Sequence, residues 1–148
     1  MNSKLHDFIT TQEAQGFATN AGLSMHAKLQ FVKLGAKPTG DPDLIGQIEK
    51  NGDKLKSFFT ENSKAEVPIA GTINGRFISR RIDRLVVDDT TKTVRVLDYK
   101  TDTDTDKFRP KYVAQLKEYI ELLKQIYPGY RISGHILWLH NWTLEHII

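Results

Sequence analysis

Residues 82–101 read IDRLVVDDTTKTVRVLDYKT. Two apolar runs, Leu85 to Val87 and Val94 to Leu97, flank the polar segment Asp89-Thr90-Thr91-Lys92, which is the pattern of a β-hairpin. In an extended chain the side chains at i and i+2 share a face, so Val94, Val96, Asp98 and Lys100 form one row. That row begins apolar and ends charged. An even-numbered loop centred between Thr90 and Thr91 sets Val87 opposite Val94, Leu85 opposite Val96 and Asp83 opposite Asp98. A slip of one residue would send the two acids to opposite faces, and the matching of apolar partners favours the even loop.

Directly opposed side chains have Cβ atoms roughly 4.5 to 5.5 Å apart, where like charges destabilise a sheet. Asp83 and Asp98 therefore need a proton or a cation between them. Two readings are open. Asp83 pairs with a neighbouring arginine and Asp98 with Lys100, giving an ion-paired rim; or the carboxylates hold a hard, oxygen-loving cation, magnesium or manganese, with Lys100 beside it to activate or orient water.

Outward from this hairpin, Glu66 to Thr72 reads as a further strand joined to Arg76–Asp88 through the turn signal Thr72-Ile-Asn-Gly75, and Thr93 to Thr101 is the third. Upstream, Leu23, Ala27, Phe31 and Leu34 recur at helical spacing, with Gly35 placed to end that helix. Asp41-Pro42 is an N-cap followed by proline at the first helical position, opening a helix with Ile45, Ile48, Leu55 and Phe59 inward and a break at Asn51-Gly52. Downstream, Pro110 to Tyr127 reads as an amphipathic helix with Val113, Leu116, Ile120, Leu123 and Tyr127 inward, stopped by Pro128-Gly129. Arg131 to Leu139 and Trp142 to Ile147 read as a closing hairpin around His140-Asn141.

The 148 residues fit one domain, helical over about 1–60 and sheet-containing over about 65–148. With 39% hydrophobic and 26% charged residues, and neither an apolar run of membrane-spanning length nor a signal-peptide core, the expectation is a globular cytoplasmic protein. The absence of cysteine excludes disulfides, thiolate zinc sites, iron–sulfur clusters and cysteine nucleophiles. A net charge of +3 does not by itself identify a polyanion partner, although Arg76, Arg80, Arg81 and Arg84 crowd one segment. No Walker-type phosphate loop is present, so no ATP site is expected here.

Arg-Ile-Asp83-Arg-Leu, Leu-Asp98-Tyr-Lys100-Thr and Tyr112-Val-Ala-Gln115-Leu-Lys-Glu-Tyr119, in this order, resemble the PD-(D/E)XK nuclease superfamily. Within it they are most similar to RecB-like domains, especially the C-terminal nuclease domain of AddA-type helicase–nuclease subunits. The resemblance covers most of the chain from about Gly22 onward, ending in the segments IYPGYR (126–131) and ILWLHN (136–141). It implies a restriction-endonuclease-like α/β core, a central mixed β-sheet flanked by α-helices, and magnesium-dependent hydrolysis of DNA phosphodiesters.

It also implies roles. His26 in Gly22-Leu-Ser-Met-His26, Asp83, Asp98 and the Tyr99 backbone carbonyl would hold the metal. Lys100 would act on water, and Gln115 and Tyr119 would position the strand, while Glu66 resembles a recurrent acidic position of undefined role. Arg80, Arg81, Arg84 and Lys111 would contact phosphates. His6, His135, His140 and His146 have no such companions and are read as structural. The partners implied are single-stranded DNA ends, a helicase portion and a partner nuclease subunit, acting in double-strand break repair and recombination. A nuclease fold that no longer cuts, serving as a DNA-binding or docking module, is the rival.

Overall fold

A computed structural model describes residues 20–148, with side chains from residue 25 onward. His6, the Leu23 side chain and the expected helical region before residue 20 lie outside the described residues. The chain runs through helices α1 (Asn20–Leu29), α2 (Pro42–Lys50) and α3 (Asp53–Lys56), then strands β1 (Ser63–Ile73), β2 (Arg76–Asp88) and β3 (Thr93–Lys100). Helix α4 (Thr105–Ile126) and strands β4 (Arg131–Trp138) and β5 (Thr143–His146) complete it. The strands form one sheet in the order β1-β2-β3-β4-β5. The β3–β4 pair is parallel and the others antiparallel, so this is an α/β fold on a mixed sheet.

Parallel neighbours need a crossover, and α4 supplies it. Its apolar face, Leu116, Tyr119, Leu122 and Leu123, packs with Ile69, Ile82, Leu85, Val94 and Val96. Gly71 permits this approach, because a Cβ there would lie 3.0 Å from Leu122 Cδ2. The other face of the sheet, through Val86, Leu97, Tyr99 and Leu137, is covered by Leu29, Val32, Leu44, Ile48, Phe58 and Phe59.

Local chemistry explains most of the element ends. Asp41 Oδ1 accepts the amides of Asp43 and Leu44, with Pro42 opening α2. Gly52, at φ 100°, separates α2 from α3 where Asn51-Gly52 signals a break. Asn74 and Gly75 have φ 51° and 78° in the β1–β2 turn, the left-handed pair that a tight hairpin requires. The expected closing hairpin is present as β4–β5, with His135 opposite His146.

The β2–β3 register matches the sequence expectation: Leu85 faces Val96, Val87 faces Val94, and the pairing runs to Arg84–Leu97. Two expectations are corrected. Helix α1 stops at Leu29 rather than at Gly35; Leu29 and the following Val32 are buried and Met25 is half-buried, while Ala27 and Phe31 are exposed. Helix α4 begins at Thr105, five residues before Pro110, because the Asp104 carboxylate caps the Lys107 amide. No helix among the described residues is long and apolar enough to cross a membrane.

His135 is buried and stacked on His146, with ring centroids 4.5 Å apart, and Phe58 packs edge-on against it. Burial, with contributions from the neighbouring His146, Lys54 and Arg95, pushes its pKa down to about 4, which keeps the ring neutral. It serves the core, as the sequence indicates. His140 is exposed.

Candidate active site

The alternation of β1 and β2 slips at one point. Arg84 and Val86 face the α1–α3 layer, yet Ile82 and Ile78, also even-numbered, pack with α4. Opposite this slip, Glu66 adopts φ 54°, a left-handed conformation that a residue other than glycine seldom takes. The β1–β2 ladder pairs Ala65 with Arg84 and Val67 with Ile82 but skips Glu66 and Asp83. The β2–β3 ladder also ends at Arg84. Asp83 therefore stands where backbone pairing is interrupted on both sides. Its Oδ2 takes up a freed donor, accepting the Tyr99 amide at 2.8 Å.

This carboxyl faces Asp98, which is buried at the end of the Val94–Val96 row. Burial, the Asp98 charge and a hydrogen bond between the two carboxyls push Asp83 well above the usual carboxylate range, against the opposing pull of the Tyr99 amide and Lys100. The neighbouring arginines do not relieve the pair. Arg80 is bound to Glu118 of α4 at 2.7 Å, and Arg81 lies 3.7 Å from Glu66.

Lys100 Nζ sits 2.9 Å from Asp98 Oδ2, donates to Gln115 Oε1 at 2.9 Å, and lies 4.2 Å from the centre of the Tyr112 ring. Gln115 Nε2 in turn donates to the Tyr119 hydroxyl at 2.8 Å. Tyr112, Gln115 and Tyr119 follow one another at i+3 and i+4 on α4, so one helix face reaches over the strand end. The Tyr112 hydroxyl donates to Asp102, and burial raises the pKa of both tyrosines. Sequence reading gave no role to Tyr112 or Asp102. The helical spacing of Tyr112 from Gln115 is the signal that marks the former.

His26 reaches the same place from the opposite layer. Its ring stands edge-on to Tyr99, centroids 5.4 Å apart, and bonds to the Tyr99 backbone. Burial lowers its pKa despite the pull of Asp98, leaving a neutral imidazole able to donate a lone pair. Asp83, Asp98, His26 and the Tyr99 carbonyl are thus oxygen and imidazole donors suited to a hard divalent ion. Asp98 Oδ2 is buried and, beyond its ion pair with Lys100, makes no hydrogen bond among the described residues. Among the described residues no three His, Asp or Glu side chains gather into a ready-made cage. The fit therefore rests on the facing carboxylates and the donor chemistry.

Arg84 is corrected. The expected phosphate contact is fully buried, its guanidinium donating to Leu29 O at 2.6 Å, Ser63 Oγ at 3.1 Å and the Tyr99 hydroxyl at 3.2 Å, and lying over the Phe59 ring. The Leu29 carbonyl, at the negative end of α1, also accepts the Val32 amide at 3.1 Å, and Arg84 adds a charged donor there, so it both caps that helix and fixes Tyr99 between Asp98 and Lys100. Arg84→Met is expected to cost about 2 to 4 kcal/mol in urea unfolding, since three acceptors lose a charged donor. Arg84→Lys is expected to recover little of that, because an ammonium cannot make the same fork. Of the other expected phosphate contacts, Arg80 is held by Glu118, whereas Arg81 and Lys111 are exposed.

Comparison with family models and with curated proteins gives no match.

Proposed function

We propose that this domain is a metal-dependent deoxyribonuclease of the PD-(D/E)XK type. The observation that carries the reading is the constellation at the end of β3: half-buried Asp83 against buried Asp98, a carboxylate pair that the nearby arginines do not neutralise, with Lys100 held beside it by Gln115 and Tyr119. An ion-paired rim accounts for the Asp98–Lys100 contact but not for Asp83, half-buried against a second acid with its pKa forced upward. His26, Asp83, Asp98 and the Tyr99 carbonyl would hold magnesium or manganese, and the bound ion would supply positive charge to polarise the phosphate and lower the cost of making hydroxide.

The chain's own groups would do the rest. Lys100 would hold the attacking water in line with phosphorus, Gln115 would fix the rotamer of Lys100, and Tyr119 would fix Gln115. One P–O bond forms from water as one ester P–O bond breaks, and the departing oxygen takes up a proton. In this reading the domain acts on single-stranded DNA ends as an exonuclease, beside a helicase portion and a partner nuclease subunit, in double-strand break repair and recombination.

The test is cleavage of labelled single-stranded DNA by the purified chain. Magnesium or manganese is expected to support cutting and calcium is not, because its longer and looser coordination misplaces the reacting groups. Activity persisting in chelator would remove the carboxylate pair from the reaction.

A further inference from the structure

Lys100 carries its charge on a long, flexible stem, and beside two carboxylates such an ammonium has competing places to go. Swung between Asp83 and Asp98, it would neutralise the pair from which the proposed metal draws its affinity. Gln115 holds it from one side at 2.9 Å. On another, its Nζ lies 4.2 Å from the centre of the Tyr112 ring, close enough for the electron-rich face to attract the cation. The ring itself is braced. Phe108, one turn earlier on α4, stacks against it with centroids 6.2 Å apart, and Trp138, the β4 partner of Lys100, lies at 6.0 Å. The Tyr112 hydroxyl donates to Asp102 Oδ2. Asp102 follows Lys100 by two residues in the connection to α4, and Tyr112 stands about two turns into that helix. Their bond therefore ties the exit of β3 to the helix that carries Gln115 and Tyr119.

We infer that Tyr112 and Asp102 are a positioning pair for Lys100: the ring face holds the ammonium beside the carboxylates rather than between them, and Asp102 fixes the ring. The catalytic use of that lysine rests on the nuclease reading, whereas the clamp stands on the contacts themselves. A residue that only filled the core here would need no hydroxyl. In Tyr112 the hydroxyl donates to an anion, which pushes electron density into the ring and deepens the negative face that Lys100 meets. Carboxylate, phenol and ammonium thus form a line in which each contact strengthens the next. Held from two sides, the ammonium is in place before substrate arrives.

The experiment labels the lysine ε-carbons of the full chain with carbon-13 and assigns the Lys100 signal by its loss in Lys100→Arg. Protons above an aromatic face resonate upfield. The Lys100 ε-methylene, one bond from Nζ, is therefore expected upfield of the other lysines, to lose that displacement in Tyr112→Leu, and to lose part of it in Tyr112→Phe and Asp102→Asn. With manganese and labelled single-stranded DNA, the two conservative variants are each expected to lower kcat about tenfold and Tyr112→Leu about a hundredfold. KM and manganese affinity should stay unchanged, because a misplaced group costs rate and not binding. Tyr112→Phe combined with Asp102→Asn should be no slower than either alone, since both break the same bond. A tyrosine with a structural role only would lower the thermal midpoint and leave both kcat of the folded protein and the lysine signal in place. Should Tyr112→Leu fail to fold, the two conservative variants decide by the same signals. The clamp is overturned if the parental Lys100 signal is not displaced, if the Tyr112 variants leave it displaced, if kcat of a cutting parent survives both conservative substitutions, or if manganese affinity falls with kcat. A parent that cuts while its lysine signal ignores Tyr112 defeats the clamp and leaves the nuclease. A parent that does not cut, while the signal follows Tyr112 and Asp102, defeats the nuclease and leaves the clamp.

Discussion

Asp83→Asn is expected to abolish cleavage, by on the order of a thousandfold or more, while making the metal-free protein more stable. The two effects share one cause. In the absence of metal, Asp83 is half-buried against Asp98 and its pKa is raised well above the ordinary value. A carboxyl that holds its proton more tightly in the folded state than in the unfolded one costs stability as pH rises from about 4, the unfolded value, toward the folded value. Asparagine keeps the acceptor for the Tyr99 amide and removes the repulsion. The gain should be about 1 kcal/mol near neutrality and should shrink as the solution is acidified through that window. Adding manganese should raise the thermal midpoint of the parent and not that of the variant, since a ligand stabilises only the protein that binds it.

Asp98→Asn should be equally inactive but nearly neutral in stability. It relieves the same repulsion yet takes from Lys100 its anionic partner at 2.9 Å. If Asp83→Asn melts below the parent in chelator at neutral pH, the carboxylates do not oppose each other as described.

The sequence carried the site further than it carried the sheet around it. The β2–β3 register was legible because valines and leucines match across an even loop, and the site's charged row follows from that register and a period of two. The cap at Asp41, the break at Gly52 and the helical spacing of Gln115 and Tyr119 were legible because each depends on neighbours in the chain. Arg84 was not. Counting by two from Arg80 places both arginines on one surface, but the slip at Asp83 turns Arg80 toward α4 and Arg84 into the opposite core. That slip depends on Glu66 adopting φ 54°, which no local propensity announces. The end of α1 was illegible for a linked reason: its capping donor is Arg84, 55 residues away in sequence. Buried arginine and misplaced helix end are one error, and its source is tertiary.

Lys100→Ala is expected to lower the cleavage rate by roughly 10² to 10⁴, the range for losing a group that handles a proton or holds the attacking water, while leaving metal and DNA binding in place. Lys100 is committed to Asp98, Gln115 and the Tyr112 ring, and it stands beside the proposed donors as a cation that cannot itself ligate. Its removal takes a positive charge from the carboxylate pair, so manganese affinity should hold or rise. The metal-free protein should be destabilised, because Asp98 then lacks its cation, and manganese should restore the loss. DNA affinity should fall only slightly, since it is spread over several basic contacts. Lys100→Arg should not rescue the rate, because a planar fork cannot take the place of a compact ammonium between Asp98 and Gln115. A docking module that does not cut has no rate to lose, so cleavage rate, manganese affinity and thermal midpoint on the same variant separate the readings. Unchanged cleavage removes the lysine from the chemistry. A large loss of manganese affinity instead means that Lys100 holds the carboxylates in shape, and that its contact with Asp98 is a structural strut.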